Sequence, residues 1–217
     1  MSAKNRLKSP QCQQCLVSQA GVWGCALCIN AEQGLSKGTM LGYIERGHAA
    51  GYRVVVANPN EAEEDPVAHV VGLWEDLLAA GAAPGSIDVV AHSNGGRCFL
   101  GLLCHLVEDC GADQKPLQCL GKIACTDSYH SPQQVSRLEN LVAERDPATG
   151  CDAAAVTQLL SSVRNYVCSP QAFGTEVASW MSLKNKITAK SRAPMKCISC
   201  EVDDHASTNY AFEWFGQ

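Results

Sequence analysis

One stretch, Ser86 to Leu106 (SIDVVAHSNGGRCFLGLLCHL), restricts the fold more than any other part of the chain. Ile87, Val89 and Val90 form a short β-branched run of the kind found in buried strands. Phe99, Leu102, Leu103 and Leu106 then recur at helical spacing. Between the two lies Ala91-His92-Ser93-Asn94-Gly95-Gly96, a G-x-S-x-G turn with alanine in its first position. The small residues Ala91, Gly95 and Gly96 let strand and helix close on a strained bend. Ser93 then stands at a helix N-terminus, where the dipole and free N–H groups favour developing negative charge, and the Asn94 amide is a ready donor.

The flanking segments repeat the strand-then-helix pattern. Gly38–Gly51 is predicted to be a helix with Leu41, Ile44 and His48 on one face and Gly51 as its stop. Tyr52–Ala57 (YRVVVA) is a continuous apolar strand, and Val67–Ala80, opened by Pro66, carries Val70, Val71, Trp74, Leu77 and Leu78 on one helical face. Leu120–Cys125 is the next strand after a polar loop over 109–118. Helices are predicted over Val135–Glu144 and Ala153–Val163, a last strand over Met195–Val202, and an aromatic helix over Asn209–Phe215. Residues 1–20 show no strand. The alternation predicts an α/β protein, a three-layer α/β/α sandwich on a mostly parallel sheet, α/β-hydrolase-like but without N-terminal strands. A single domain is expected over 17–217, with 1–16 a disordered N-terminus.

Ligands in such folds bind at the carboxyl ends of the strands. Three predicted strand ends carry Ser93, Asp127 and His205, in the order serine, acid, histidine. A serine hydroxyl needs a base to take its proton. Histidine serves at neutral pH when a carboxylate fixes its tautomer and stabilises its charged form. Asp203 or Asp204 is the alternative acid, although both sit close to His205 in sequence. His130 lies in the same mouth as a supporting residue, and His69 and His105 fall on helices as structural residues.

Other classes are disfavoured. At 217 residues with 46% hydrophobic residues, the chain supports one sizeable core. A formal charge of −5 gives no basis for direct nucleic-acid binding. No run approaches the ~18–20 apolar residues of a membrane helix, and MSAKNRLKSPQ has no signal-like apolar core, so a nuclear or cytoplasmic location is expected. Thirteen cysteines, several in apolar runs (Cys98, Cys104, Cys125), read as reduced thiols used as small hydrophobes. Cys12, Cys15, Cys25 and Cys28 make two C-x-x-C pairs, but the spacing between the pairs is short for a zinc ribbon. Cys197 and Cys200 would face opposite sides of a strand. No metal or cofactor is expected.

A series of motifs resembles the Argonaute-binding protein two (Arb-two) domain. That domain also occurs in animal co-transcriptional splicing regulators and at the C-terminal end of some fungal class II histone deacetylases. The motifs, in order, are AGVWGCALCIN with KGTMLGYI, GYRVVVANPN, DPVAHVVGLWEDL, AHSNGG, KIACTDSYH, NYVCSP, CISCEVDDHAST and a terminal FEWF. They span about Val17 to Phe215. The resemblance implies an α/β-hydrolase-like fold with Ser93, Asp127 and His205 at the family's serine, aspartate and histidine positions. It also implies a role in small-RNA silencing, heterochromatin or co-transcriptional RNA processing through Argonaute-type or chromatin partners. Two departures stand out. Where relatives have an apolar strand and a glycine-rich turn, this chain reads Gln13-Gln14-Cys15-Leu16 after SAKNRLKSPQ. That loss would remove one oxyanion donor, typically worth about 10²–10³ in rate, and would expose a sheet edge. The chain either starts late relative to its relatives or has diverged there. The connection Glu61–Asp65 is also short where some relatives carry a long charged insertion. The preferred reading is an interaction domain, favoured by the missing turn; the alternative is a serine hydrolase, favoured by the triad positions and weakened by the loss of that turn.

Overall fold

The computed structural model describes residues 14–20, 41–59, 65–109, 115–126, 128, 132–144, 153–167, 171–172, 174–177 and 196–199. Their strands form one seven-stranded sheet in the order β2-β1-β3-β4-β5-β7-β6. The strands are β1 (Gln14–Ala20), β2 (Arg53–Ala57), β3 (Ile87–Ser93), β4 (Leu120–Thr126), β5 (Arg164–Val167), β6 (Glu176–Val177) and β7 (Lys196–Ser199). All pair in parallel except β6, which runs antiparallel to β7. The helices are α1 (Leu41–Ala49), α2 (Pro66–Ala79), α3 (Gly95–Asp109), the short α4 (Lys115–Gln118), α5 (Pro132–Ala143) and α6 (Ala153–Ser162).

The described chain starts inside the sheet. From β1 it steps outward through α1 to β2, then returns through α2 past β1 to β3, and continues in that direction to β4, β5 and β7. Parallel crossovers are right-handed, so this reversal places α1 on the face opposite α2, α3 and α5. The contacts agree, since α3 packs between α2 and α5 and lies over β1 and β3.

Local chemistry explains the boundaries. The Asp65 carboxylate caps α2, accepting from the N–H groups of Val67 (2.8 Å) and Ala68 (3.4 Å), with Pro66 as the first helical residue. Both α1 and α2 end with one device. Gly51 (φ 84°) and Gly81 (φ 87°) adopt a left-handed conformation that side chains resist. The following N–H groups, of Tyr52 and Ala82, then reach back to Gly47 and Leu77. In α1 the buried residues are Tyr43 and Gly47, whereas Leu41 and His48 are exposed. The face predicted as apolar is therefore turned outward, because Gly47 is what lets the helix sit directly on Val54.

The core is centred on β3 and α3. Ile87, Val89, Val90 and Ala91 are all essentially inaccessible, as expected of a strand covered on both faces. In α3 ten of fifteen residues are buried, so the helix is enclosed on nearly every side. Cys98, Cys104, Cys119 and Cys125 are buried thiols, filling space much as small apolar side chains do. At the amino ends of the strands, one extra residue of β4 shifts its register between Ile87 and Val89. Buried Asp88 answers it, accepting from the Lys122 N–H (2.6 Å) and the Tyr52 hydroxyl (2.7 Å).

Three strands depart from the sequence reading. β1 lies in a segment read as strandless, so the sheet does not lose a strand there; Gln14, Cys15 and Leu16 belong to the strand between β2 and β3. Its sequence, QCLVSQA, has polar residues at both ends and only a short apolar centre. The continuous apolar run of β2 implies burial on both faces, yet β2 flanks the described sheet with Val56 42% exposed. β5 occupies RNYV, too short for periodicity to reveal. The polar loop expected before β4 contains α4. The predicted helix over Asn209–Phe215 lies outside the described residues.

Candidate functional site

Ser93 closes β3 with φ of 51°. Among the described residues it is the one non-glycine residue with positive φ. A side chain held there costs roughly 1–3 kcal/mol, and such positions persist where the surroundings enforce them. The enforcement is visible on both sides. Ala91 is fully buried in β3, and Gly95 and Gly96 are buried in the first turn of α3. The Asn94 carbonyl accepts from the Cys98 N–H (3.1 Å), so only Asn94 separates the serine from the helix. The first N–H groups of any α-helix have no acceptor within it, and here they follow Ser93 directly in the chain.

Ser93 is in register with Ala20, the final residue of β1. From β1 the chain goes outward to β2, and from β3 it goes the other way. The crevice where such connections diverge is where open parallel sheets bind ligands. The elbow serine therefore sits at the topological switch point.

Buried polar groups tie the neighbouring strand ends together. His92 Nδ1 lies 3.0 Å from Thr126 Oγ1. The Ser128 hydroxyl donates to the Ala91 carbonyl (2.5 Å), and the Ser128 N–H donates to Asn165 Oδ1 (3.2 Å). Asn165 Nδ2 donates in turn to the Ser128 carbonyl (3.5 Å). Sequence reading missed Thr126, Ser128 and Asn165, whose only signal was polarity inside otherwise apolar strand ends. Cys98, in the first turn of α3, is no competing nucleophile: burial pushes its thiol up to about 11, despite the neighbouring Arg97.

Ala91 and Ser93 close β3, and Asn94, Gly95 and Gly96 lead into and open α3. Asp127, His130, Asp203, Asp204 and His205 lie outside the described residues, as do Cys12, Cys25, Cys28 and Cys200. His69 lies on α2. His105, on α3, faces Asp109 (3.2 Å) and Glu75 (3.8 Å) and links α3 to α2. Among the described residues, no three His, Cys, Asp or Glu side chains come together to hold a metal ion. Gln14, Cys15 and Leu16, read from the sequence as the place of a lost strand and turn, are part of β1. The residues that follow β1 in sequence are Gly21-Val22-Trp23-Gly24.

A mostly parallel α/β sheet, reversing direction beside a serine on a left-handed strand-to-helix bend, defines an α/β-hydrolase-like fold. No protein-family model matches the chain. It is similar to a FAM172 family protein homologue of Caenorhabditis elegans, 36% identical over 121 residues, a match covering 52% of this chain and 35% of that protein. The chain thus spans about a third of that relative's length. Among solved structures, it is similar to an esterase of the bacterial hormone-sensitive lipase family, with a TM-score of 0.48 and 15% identity over 95% of this chain and 76% of that one. A mutant of the esterase E40 gives 0.48 and 13%, with the same coverage. No helix among the described residues is long and apolar enough to cross a membrane.

Proposed function

We propose that this chain is an Arb-two-type domain carrying a serine acyl-hydrolase site, with Ser93 as nucleophile, His205 as general base and Asp127 as the acid that orients it. One observation carries the reading: a serine held at φ 51° at the switch point of a parallel sheet, two residues before the start of a buried helix. Backbone strain of that kind is retained where a hydroxyl must be presented. Ser93 Oγ would attack the carbonyl of an ester, thioester or acylated substrate, passing its proton to the His205 imidazole. The Asn94 N–H would receive the developing oxyanion. Collapse of that oxyanion would break the bond to the leaving alcohol, thiol or amine, which takes the proton from His205. Water deprotonated by the same imidazole would then hydrolyse the acyl-serine.

Strand order supports the assignment. Asp127 follows in sequence the last residue of β4, the immediate neighbour of β3, and adjacent strands lie about 5 Å apart. His205 follows β7, three strands from β3, or about 14 Å across the sheet. It lies six residues beyond Ser199, the last residue of β7, and such a stretch reaches up to about 20 Å. With Gln14–Ala20 forming β1, the segment that follows this strand in sequence starts at Gly21. Gly21, directly after Ala20, is well placed in sequence for the second oxyanion donor.

The second reading is an interaction domain in small-RNA-directed silencing, heterochromatin or co-transcriptional RNA regulation, with Argonaute-type or chromatin partners. The Arb-two resemblance and the similarity to a FAM172 family homologue favour it. A fluorophosphonate probe separates the two. Labelling of the wild type but not of Ser93→Ala supports the hydrolase. An unlabelled wild type that still recovers Argonaute in a pull-down supports the interaction domain.

A further inference from the structure

Among the described residues, the buried polar side chains are Asp88, Thr126, Ser128 and Asn165. Asp88 serves the register shift at the amino ends of the strands. The other three gather at the carboxyl ends, around a single position in the sequence. Thr126 and Ser128 are the residues on either side of Asp127, and both reach back to the elbow strand: Thr126 to His92, Ser128 to Ala91. Asn165 holds Ser128 from β5, matching its carboxamide to the Ser128 N–H and carbonyl as a neighbouring strand would. Asn165 is 2% exposed, Ser128 4% and Thr126 0%. Burying such groups costs free energy unless each finds a partner, and apolar residues of similar size would fill these sites without that requirement.

We propose that Asn165 is a positioning residue: through its clasp on Ser128 it fixes the strand end that carries Asp127 relative to Ser93. This rests on the hydrolase reading above and names the part that sets its geometry. Cα atoms of adjacent residues are about 3.8 Å apart, so anchoring both neighbours of position 127 confines its backbone. Holding a catalytic group to within about 1 Å decides rates by up to about 10².

The test is a double-mutant cycle on the rate of fluorophosphonate labelling of folded protein, comparing wild type, Asn165→Ala, Asp127→Asn and the double variant. Asn165→Ala is expected to slow labelling by about 10- to 100-fold. The double variant is expected to match Asp127→Asn alone within about threefold, because Asn165 acts through Asp127. Ser128→Ala, which loses only the hydroxyl bond to Ala91, should slow labelling in the same direction and serves if Asn165→Ala does not fold. Tyr52→Phe, at the far end of the sheet, is the control that lowers stability and leaves the labelling rate unchanged. Two results overturn the inference while leaving the hydrolase reading intact: Asn165→Ala and Ser128→Ala both labelled at the wild-type rate, or losses that add in the double variant. Asp127→Asn without effect overturns the inference together with the assignment of Asp127 as the acid. An unlabelled wild type overturns both the inference and the hydrolase reading.

Discussion

Ala20 and Ser93 are partners across the β1–β3 ladder, each the last residue of its strand. In sequence, Ala20 is followed by Gly21-Val22-Trp23-Gly24, and Ser93 by Asn94 and α3. The strained serine thus closes its strand directly beside the residue that precedes the glycine-bearing segment.

The strain at Ser93 is measurable. Ser93→Gly relieves a left-handed conformation worth roughly 1–3 kcal/mol, offset by about 0.5–1 kcal/mol of glycine backbone entropy. A net gain of about 1 kcal/mol is expected, raising Tm by about 2–4 °C for a chain of this size. Ser93→Ala keeps the strain and should leave Tm near the wild type. Thermal unfolding of the three proteins checks this.

Tyr52 and Asp88 join β2's entry to β3 through a 2.7 Å bond to a buried carboxylate. Tyr52→Phe removes one of its donors and should cost about 1.5–3 kcal/mol. In urea the midpoint should fall with no change in m-value.

Gly101 lets α3 touch α2, since a Cβ there would lie 2.5 Å and 2.7 Å from the two methyls of Val67. Alanine would favour the helix by about 1 kcal/mol, but overpacking costs about 1–3 kcal/mol, and a β-branched valine has little freedom to turn away. Gly101→Ala should therefore destabilise the fold. In Gly101→Ala/Val67→Ala the steric part should vanish, so that the measured ΔΔG is less than the sum of the single changes.

Cys98 supplies a pH prediction. Burial raises its thiol from an ordinary 9.0 to about 11. The folded state therefore holds the proton more tightly than the unfolded chain. Its contribution to stability is complete below pH 9 and is lost as pH rises from 9 to 11. At pH 8 only about one thiol in a thousand is ionised, so peptide mapping after iodoacetamide should show Cys98 unmodified until the protein unfolds.

How far the sequence revealed this molecule depended on the kind of signal each segment carries. Ile87–Val90 and the α3 leucines announced themselves because burial on both sides leaves long apolar runs. Gly51 and Pro66 marked helix ends because their backbones admit few alternatives. β1 escaped because QCLVSQA is polar at both ends, and its place in the sheet depends on partners far along the chain. The elbow was legible as a motif, since close approach demands small residues at fixed positions. The Asn165–Ser128 clasp was not, because hydrogen bonds between residues 37 apart leave no local pattern.

The most direct test is intact-mass and peptide analysis of the protein after fluorophosphonate treatment. One adduct per chain is expected, located on Ser93, absent from Ser93→Ala and strongly reduced in His205→Gln. No adduct on the wild type, or one that survives Ser93→Ala, would contradict the assignment of Ser93 as the nucleophile.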